Sequence, residues 1–133
     1  MSNVPPLFTQ ADVVHTYSRR EALADGTLID LTEEGREAGI KHPLAITAAA
    51  YSTAIELTDM AQRMGCDERG RRWDVVWMLR CAMSRARPGN DTLLFQVLVV
   101  RDRVEPELVE LRAVCGPGDD AAPVITIMLP DED

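Results

Sequence analysis

Side-chain chemistry in a chain of this kind would come from imidazoles, thiols, activated hydroxyls or paired carboxylates. The only histidines are His15 and His42. His15 stands two residues before Tyr17, and the two could face the Gly116-Pro117-Gly118-Asp119-Asp120 loop across a small ligand cleft. The thiols are Cys66, Cys81 and Cys115, an odd number with no Cys-x-x-Cys among them. That spacing suits free buried thiols better than a metal site. No Gly-x-Ser-x-Gly elbow and no Gly-Lys-Ser/Thr phosphate loop occurs. Lys41 is the single lysine beside thirteen arginines, so lysine-dependent chemistry has one candidate and no Asp…Glu-x-Lys nuclease pattern forms. Asp12, Asp25, Asp30, Glu33 and Glu34 read as helix caps and first-turn acids. The residues therefore assign no catalytic group, no cofactor and no metal.

The carboxylates are the more informative group. The chain carries a net charge of −8 over 133 residues. Residues 1–101 hold 13 acids and 12 bases, whereas residues 102–133 hold nine acids and two bases. A field of that sign repels phosphate backbones and attracts basic surfaces, so the expected partner is a basic protein or a nucleic-acid-processing complex rather than nucleic acid itself. The carboxylates placed to meet such a partner are Asp119, Asp120, Asp131, Glu132 and Asp133. Two adjacent aspartates without further oxygen ligands make a poor calcium loop, and Gly116–Asp120 also reads simply as a hairpin turn.

These residues need elements to hold them. The length suits one domain, over 1–133, with 1–11 as a flexible lead-in and 130–133 as an acidic tail. No apolar run reaches the ~18 residues of a membrane span and no signal peptide is legible, so a cytoplasmic protein is expected. Val13-Val14 suggests a short strand within Asp12–Tyr17. Ser18 and Glu21 form a capping box for a short helix that Gly26 ends. Thr27–Leu31 alternates as a strand, and Thr32 is placed to cap a second short helix ending at Gly39. Pro43–Ile46 is ambiguous between strand and helix start. Thr47 caps a helix expected to run to about Met64, and Gly65–Gly70 reads as a loop. Arg71–Ala86 carries apolar residues around most of its circumference, which predicts a central, buried helix anchored by Trp73 and Trp77. Leu93–Val100 is a nearly unbroken apolar run, predicting a strand covered on both faces. Glu107–Cys115 alternates as a half-exposed strand, and Val124–Leu129 is a third. The expected fold is α+β: a C-terminal three-stranded antiparallel sheet against the Trp-containing helix, with short N-terminal helices and an extra strand pair.

His15-Thr-Tyr-Ser-Arg-Arg-Glu-Ala-Leu-Ala-Asp-Gly-Thr-Leu-Ile-Asp-Leu-Thr, Arg36-Glu-Ala-Gly-Ile, Arg72-Trp-Asp-Val-Val-Trp-Met-Leu-Arg80, Phe95-Gln-Val-Leu-Val, Val114-Cys-Gly-Pro-Gly-Asp-Asp and the closing Val124–Asp133 segment resemble a family of small acidic proteins of unknown function. That family is associated with bacterial plasmids, integrative elements and phages. The resemblance spans residues 13–133, carries no catalytic residues with it, and implies a role in transfer, maintenance or evasion of host defence. With the acidic last quarter, it leads to the expectation of a non-enzymatic interaction protein, an inhibitor of a host defence complex of the anti-restriction or anti-CRISPR type. Two other classes stay open. One is a small enzyme with a cleft near His15, Tyr17 and the Gly116–Asp120 loop, since ADP-ribosyltransferases place a histidine on an early strand. The other is a homodimer joined through exposed tryptophans or sheet edges.

Overall fold

The computed structural model describes residues 17–132. The expected Val13-Val14 strand and His15 lie outside them, as does Asp133. Tyr17 leads into helix α1 (Arg19–Asp25), which carries the full capping box. The Ser18 hydroxyl accepts from the Glu21 amide at 3.0 Å and the Glu21 carboxylate accepts from the Ser18 amide at 3.3 Å. Gly26 closes α1 at φ +85°, a left-handed conformation that glycine adopts without strain.

Strand β1 (Leu28–Asp30) follows, then helix α2 (Thr32–Glu37), β2 (Leu44–Thr47), α3 (Ala48–Ala54), α4 (Asp59–Arg63), α5 (Glu68–Arg85), β3 (Thr92–Val99), β4 (Glu107–Pro117) and β5 (Pro123–Met128). The five strands form one mixed sheet in the order β1-β2-β5-β4-β3. The last three strands follow one another antiparallel, but they do not form a sheet by themselves. β2 pairs parallel with β5, and β1 pairs antiparallel with β2, so the N-terminal strands extend the same sheet. One row across it runs Ile29, Ile46, Ile127, Ala113 and Leu93. This face meets α2, α3 and α5 around a core that includes Leu31, Ile40, Leu44, Ile55, Val75, Leu79 and Leu111.

Several boundaries differ from the sequence expectation, each for a local reason. Thr32 is the first residue of α2 and does not cap it; the Asp30 carboxylate accepts from its amide at 2.9 Å, while its hydroxyl meets the amide and carbonyl of Leu44. The helix begun by Thr47 stops at Ala54 and does not reach Met64. Thr58 then starts α4 with its own cap, accepting from the Ala61 amide at 3.1 Å. Its hydroxyl also donates to the Arg101 carbonyl, which fixes the break from outside the segment. Asp67 caps α5 by accepting from Gly70 at 2.6 Å, so half of the expected Gly65–Gly70 loop is helix.

Two expectations about burial are overturned. α5 faces the sheet through Val75, Val76 and Leu79, whereas Trp73 and Trp77 remain 38% and 45% exposed. A helix apolar on all sides does not reveal which side turns inward, and here the smaller β-branched and leucine side chains fit closest to the strands. β3 is not covered on both faces either. Phe95, Val97 and Val99 are buried, while Leu94, Gln96 and Leu98 are exposed.

Candidate functional site

Asp119 sits in the hairpin between β4 and β5. Its two carboxylate oxygens accept from the backbone amides of Arg19 and Arg20, at 2.9 and 3.0 Å. Those are orphan donors of the first turn of α1, so the carboxylate acts as a cap supplied from a distant segment. The two amides hold the Asp119 carboxyl below its ordinary range. Arg19 completes the tie: its guanidinium donates to Thr126 Oγ1 at 2.7 Å and to the Ile125 carbonyl at 2.9 Å. Burial of that guanidinium lowers its affinity for its proton.

Glu132 is likewise engaged internally. Its Oε2 accepts from Thr47 Oγ1 and from the Leu129 amide, both at 2.7 Å, and its carbonyl accepts from Arg112. Asp120 accepts from the Ala122 amide at 3.2 Å within the turn and is otherwise exposed, as is Asp131. Of the five acids singled out by position, four are therefore described. Two fasten the fold and two face solvent.

Tyr17 does meet the Gly116–Asp119 loop, in a groove of about 330 Å³ shared with Arg19, Val124 and Thr126. Its hydroxyl donates to the Asp25 carboxylate and lies 3.2 Å from Thr27 Oγ1. The bond to Asp25 raises the phenol's pKa and lowers that of Asp25. His42 and Cys115 border a different cavity, about 330 Å³, at the end of α5. Its floor is Leu79, Met83, Leu93 and Ile125. The three thiols are all free and half-buried. Among the described residues, no group of three or more histidines, cysteines, aspartates and glutamates is placed to hold a metal.

The most built surface lies on the helical side. Arg72 of α5 pairs with Glu34 of α2 at 3.3 Å. Its Nη2 also donates to the Tyr51 hydroxyl at 3.0 Å, and its guanidinium stands 5.3 Å from the centre of the Tyr51 ring. The Tyr51 hydroxyl in turn donates to Glu68. Burial and the bond to Glu68 raise the Tyr51 pKa, and Tyr51 with Glu34 raises that of Arg72. Around this network Glu33, Glu34, Glu37 and Glu68 line a groove of about 450 Å³ with Arg69 and Arg72. Arg69, Trp73 and Trp77 follow at four-residue spacing, which puts them on one stripe of α5. The two indoles stack with centroids 5.7 Å apart and planes 16° apart.

A profile described as a family of unknown function, DUF6573, matches residues 1–133. The chain belongs to the DUF6573 family. No curated protein and no solved structure matches it. For this DUF6573 protein, function must therefore be argued from the surface itself.

Sequence reasoning missed one further residue. Arg71 is buried, donating to the Glu56 carbonyl at 3.2 Å and to the Val100 carbonyl. It joins the segment after α3 to the end of β3. Asp74, one turn along, has its pKa raised by burial, an effect that Arg71 opposes. Nothing in the spacing of the sequence distinguishes Arg71 from Arg69 and Arg72 beside it.

Proposed function

We propose that this protein is a non-enzymatic interaction module that binds a basic protein partner on its α2–α5 side. The observation that carries the reading is the exposed, stacked Trp73–Trp77 pair beside a groove walled by four glutamates. Exposed tryptophans are among the residues that dominate binding energy at interfaces, because each covers a large apolar area with little loss of rotamer freedom. The glutamates would choose the partner's sign and speed its approach. Asp120 and Asp131 add to that field from the opposite end of the chain. The resemblance to proteins of mobile elements favours a nucleic-acid-processing host defence complex as the target, because such complexes present basic surfaces.

The test is affinity capture from bacterial lysate by the wild type, by Trp73→Ala/Trp77→Ala and by Glu33→Gln/Glu37→Gln, at low and high salt. A basic protein held by the wild type, released by the tryptophan variant and weakened by salt is the expected result. A partner retained equally by all three chains, or no partner at all, would overturn the reading. A small-ligand role at the Tyr17 and Gly116–Asp119 groove would then be tested by ligand screening.

A further inference from the structure

We propose that β3 is the interface through which two copies of this chain join, edge to edge and antiparallel, making one continuous sheet. Among the described residues, β3 is the last strand of the sheet and pairs only with β4. Its eight residues, Thr-Leu-Leu-Phe-Gln-Val-Leu-Val, contain no charge, no proline and no glycine. The register from Thr92↔Val114 to Val99↔Glu107 runs without a bulge. Free edges of soluble proteins are normally shortened, bulged, covered or charged, because an open row of amides and carbonyls recruits another strand. The other edge of this sheet fits that rule, since β1 has three residues and ends on Asp30. Among the described residues, β3 has none of these protections.

The open row can be identified. The Cys115 amide donates to the Asp91 carbonyl at 2.7 Å, which fixes the alternation of the β3–β4 ladder. Leu93, Phe95, Val97 and Val99 then bond toward β4, while the backbone groups of Thr92, Leu94, Gln96 and Leu98 point away from it. None of these four has another backbone partner among the described residues. The side chains of Leu94 and Leu98, on the open face, are 56% and 64% exposed, and Leu108 beside Leu98 is 60% exposed. Met78, Ala82 and Arg85 of α5 and Glu110 of β4 border a shallow groove of about 270 Å³ along the same edge.

A second copy fits this edge because the strand is self-complementary. An antiparallel pairing centred on Gln96 sets Leu94 of each copy opposite Leu98 of the other. Each join then reads as an unbroken row of Leu108, Leu98 and Leu94 across the two molecules. No charged side chain of β3 meets its like, although each chain carries a net −8. A two-layer edge of eight residues is about 27 Å long and ~20 Å deep, so it presents roughly 500 Å² per copy and about reaches the minimum for a specific pair. The tryptophan stripe is not part of this contact, so a second copy and a basic partner bind independently.

The test is sedimentation equilibrium of the full chain over a wide concentration range, with hydrogen exchange read at single amides. The comparison chains are Leu94→Lys/Leu98→Lys, which charges the open face, and Gln96→Pro, which removes one outward amide and no β3–β4 bond. The wild type should reach twice the monomer mass, with the Leu94, Gln96 and Leu98 amides protected. Added salt should not weaken the pair, because it screens the mutual repulsion of the two acidic chains. Either variant should raise the dissociation constant at least about tenfold and free those amides, while its circular dichroism stays that of the wild type. A wild type monomeric throughout would overturn the proposal. So would a dimer that leaves the three amides unprotected, or a monomer that protects them, which would assign the edge to residues 1–16 of the same chain.

Discussion

Single side chains in this protein differ from their neighbours through what they meet at long range. Arg71 and Arg72 are adjacent, yet one is buried and closes two backbone carbonyls, while the other belongs to a half-exposed network. Truncating Arg71 leaves the Glu56 and Val100 carbonyls unpaired, so Arg71→Met should lower stability by about 2 kcal/mol in urea unfolding. Asp119 makes a prediction about pH. Its native pKa is depressed by the Arg19 and Arg20 amides, so its contribution is complete above the ordinary carboxylate range. That contribution is lost as the pH falls through the lower native value. Asp119→Asn should therefore melt below the wild type at neutral pH, and the gap should close in acid. A gap that stays constant with pH would show that the carboxylate charge is not the agent.

At the scale of elements, the hairpin between β4 and β5 depends on two glycines in different ways. A Cβ at Gly118 would come within 2.8 Å of Val124 Cγ1 and 3.3 Å of the Ala122 carbonyl, whereas one at Gly116 would meet nothing within 4 Å. Gly118→Ala should destabilise the fold by about 1–2 kcal/mol through this overpacking. Gly116→Ala should leave the melting temperature nearly unchanged. The same hairpin carries Asp119, so Gly118→Ala should also loosen α1, visible as faster exchange of the Arg19 and Arg20 amides. The capping box of α1 was legible because its two partners are three residues apart. The break between α3 and α4 was not, because it depends on Thr58 reaching the Arg101 carbonyl across 43 positions.

For the molecule as a whole, surface and core respond differently to the same kind of change. Trp77 is 45% exposed and stacks on Trp73, so Trp77→Ala should alter stability by less than about 1 kcal/mol while abolishing partner capture. An equally large loss of stability and binding would make the tryptophans structural. Among the described residues, no helix is long and apolar enough to cross a membrane. The sheet is half covered: α1 lies over its second face near Thr126, while Leu94, Leu98 and Leu108 at the other end stay open. The proposed pairing of two copies would use that open end.

The order of residues alone determined the local devices. Ser18 with Glu21, Thr47, Gly26 and the alternation of β4 all act within a few positions, and backbone geometry makes such spacings decisive. The tertiary structure decided everything that depends on meeting a distant segment. The apolar content of α5 could not say which side turns inward, and the apolar run of β3 could not say that it ends the sheet. Asp119, isolated in a turn of glycine and proline, looked free for a partner. Only the approach of α1, about a hundred positions earlier, made it a cap, because hydrogen bonds are satisfied by proximity in space and not in sequence.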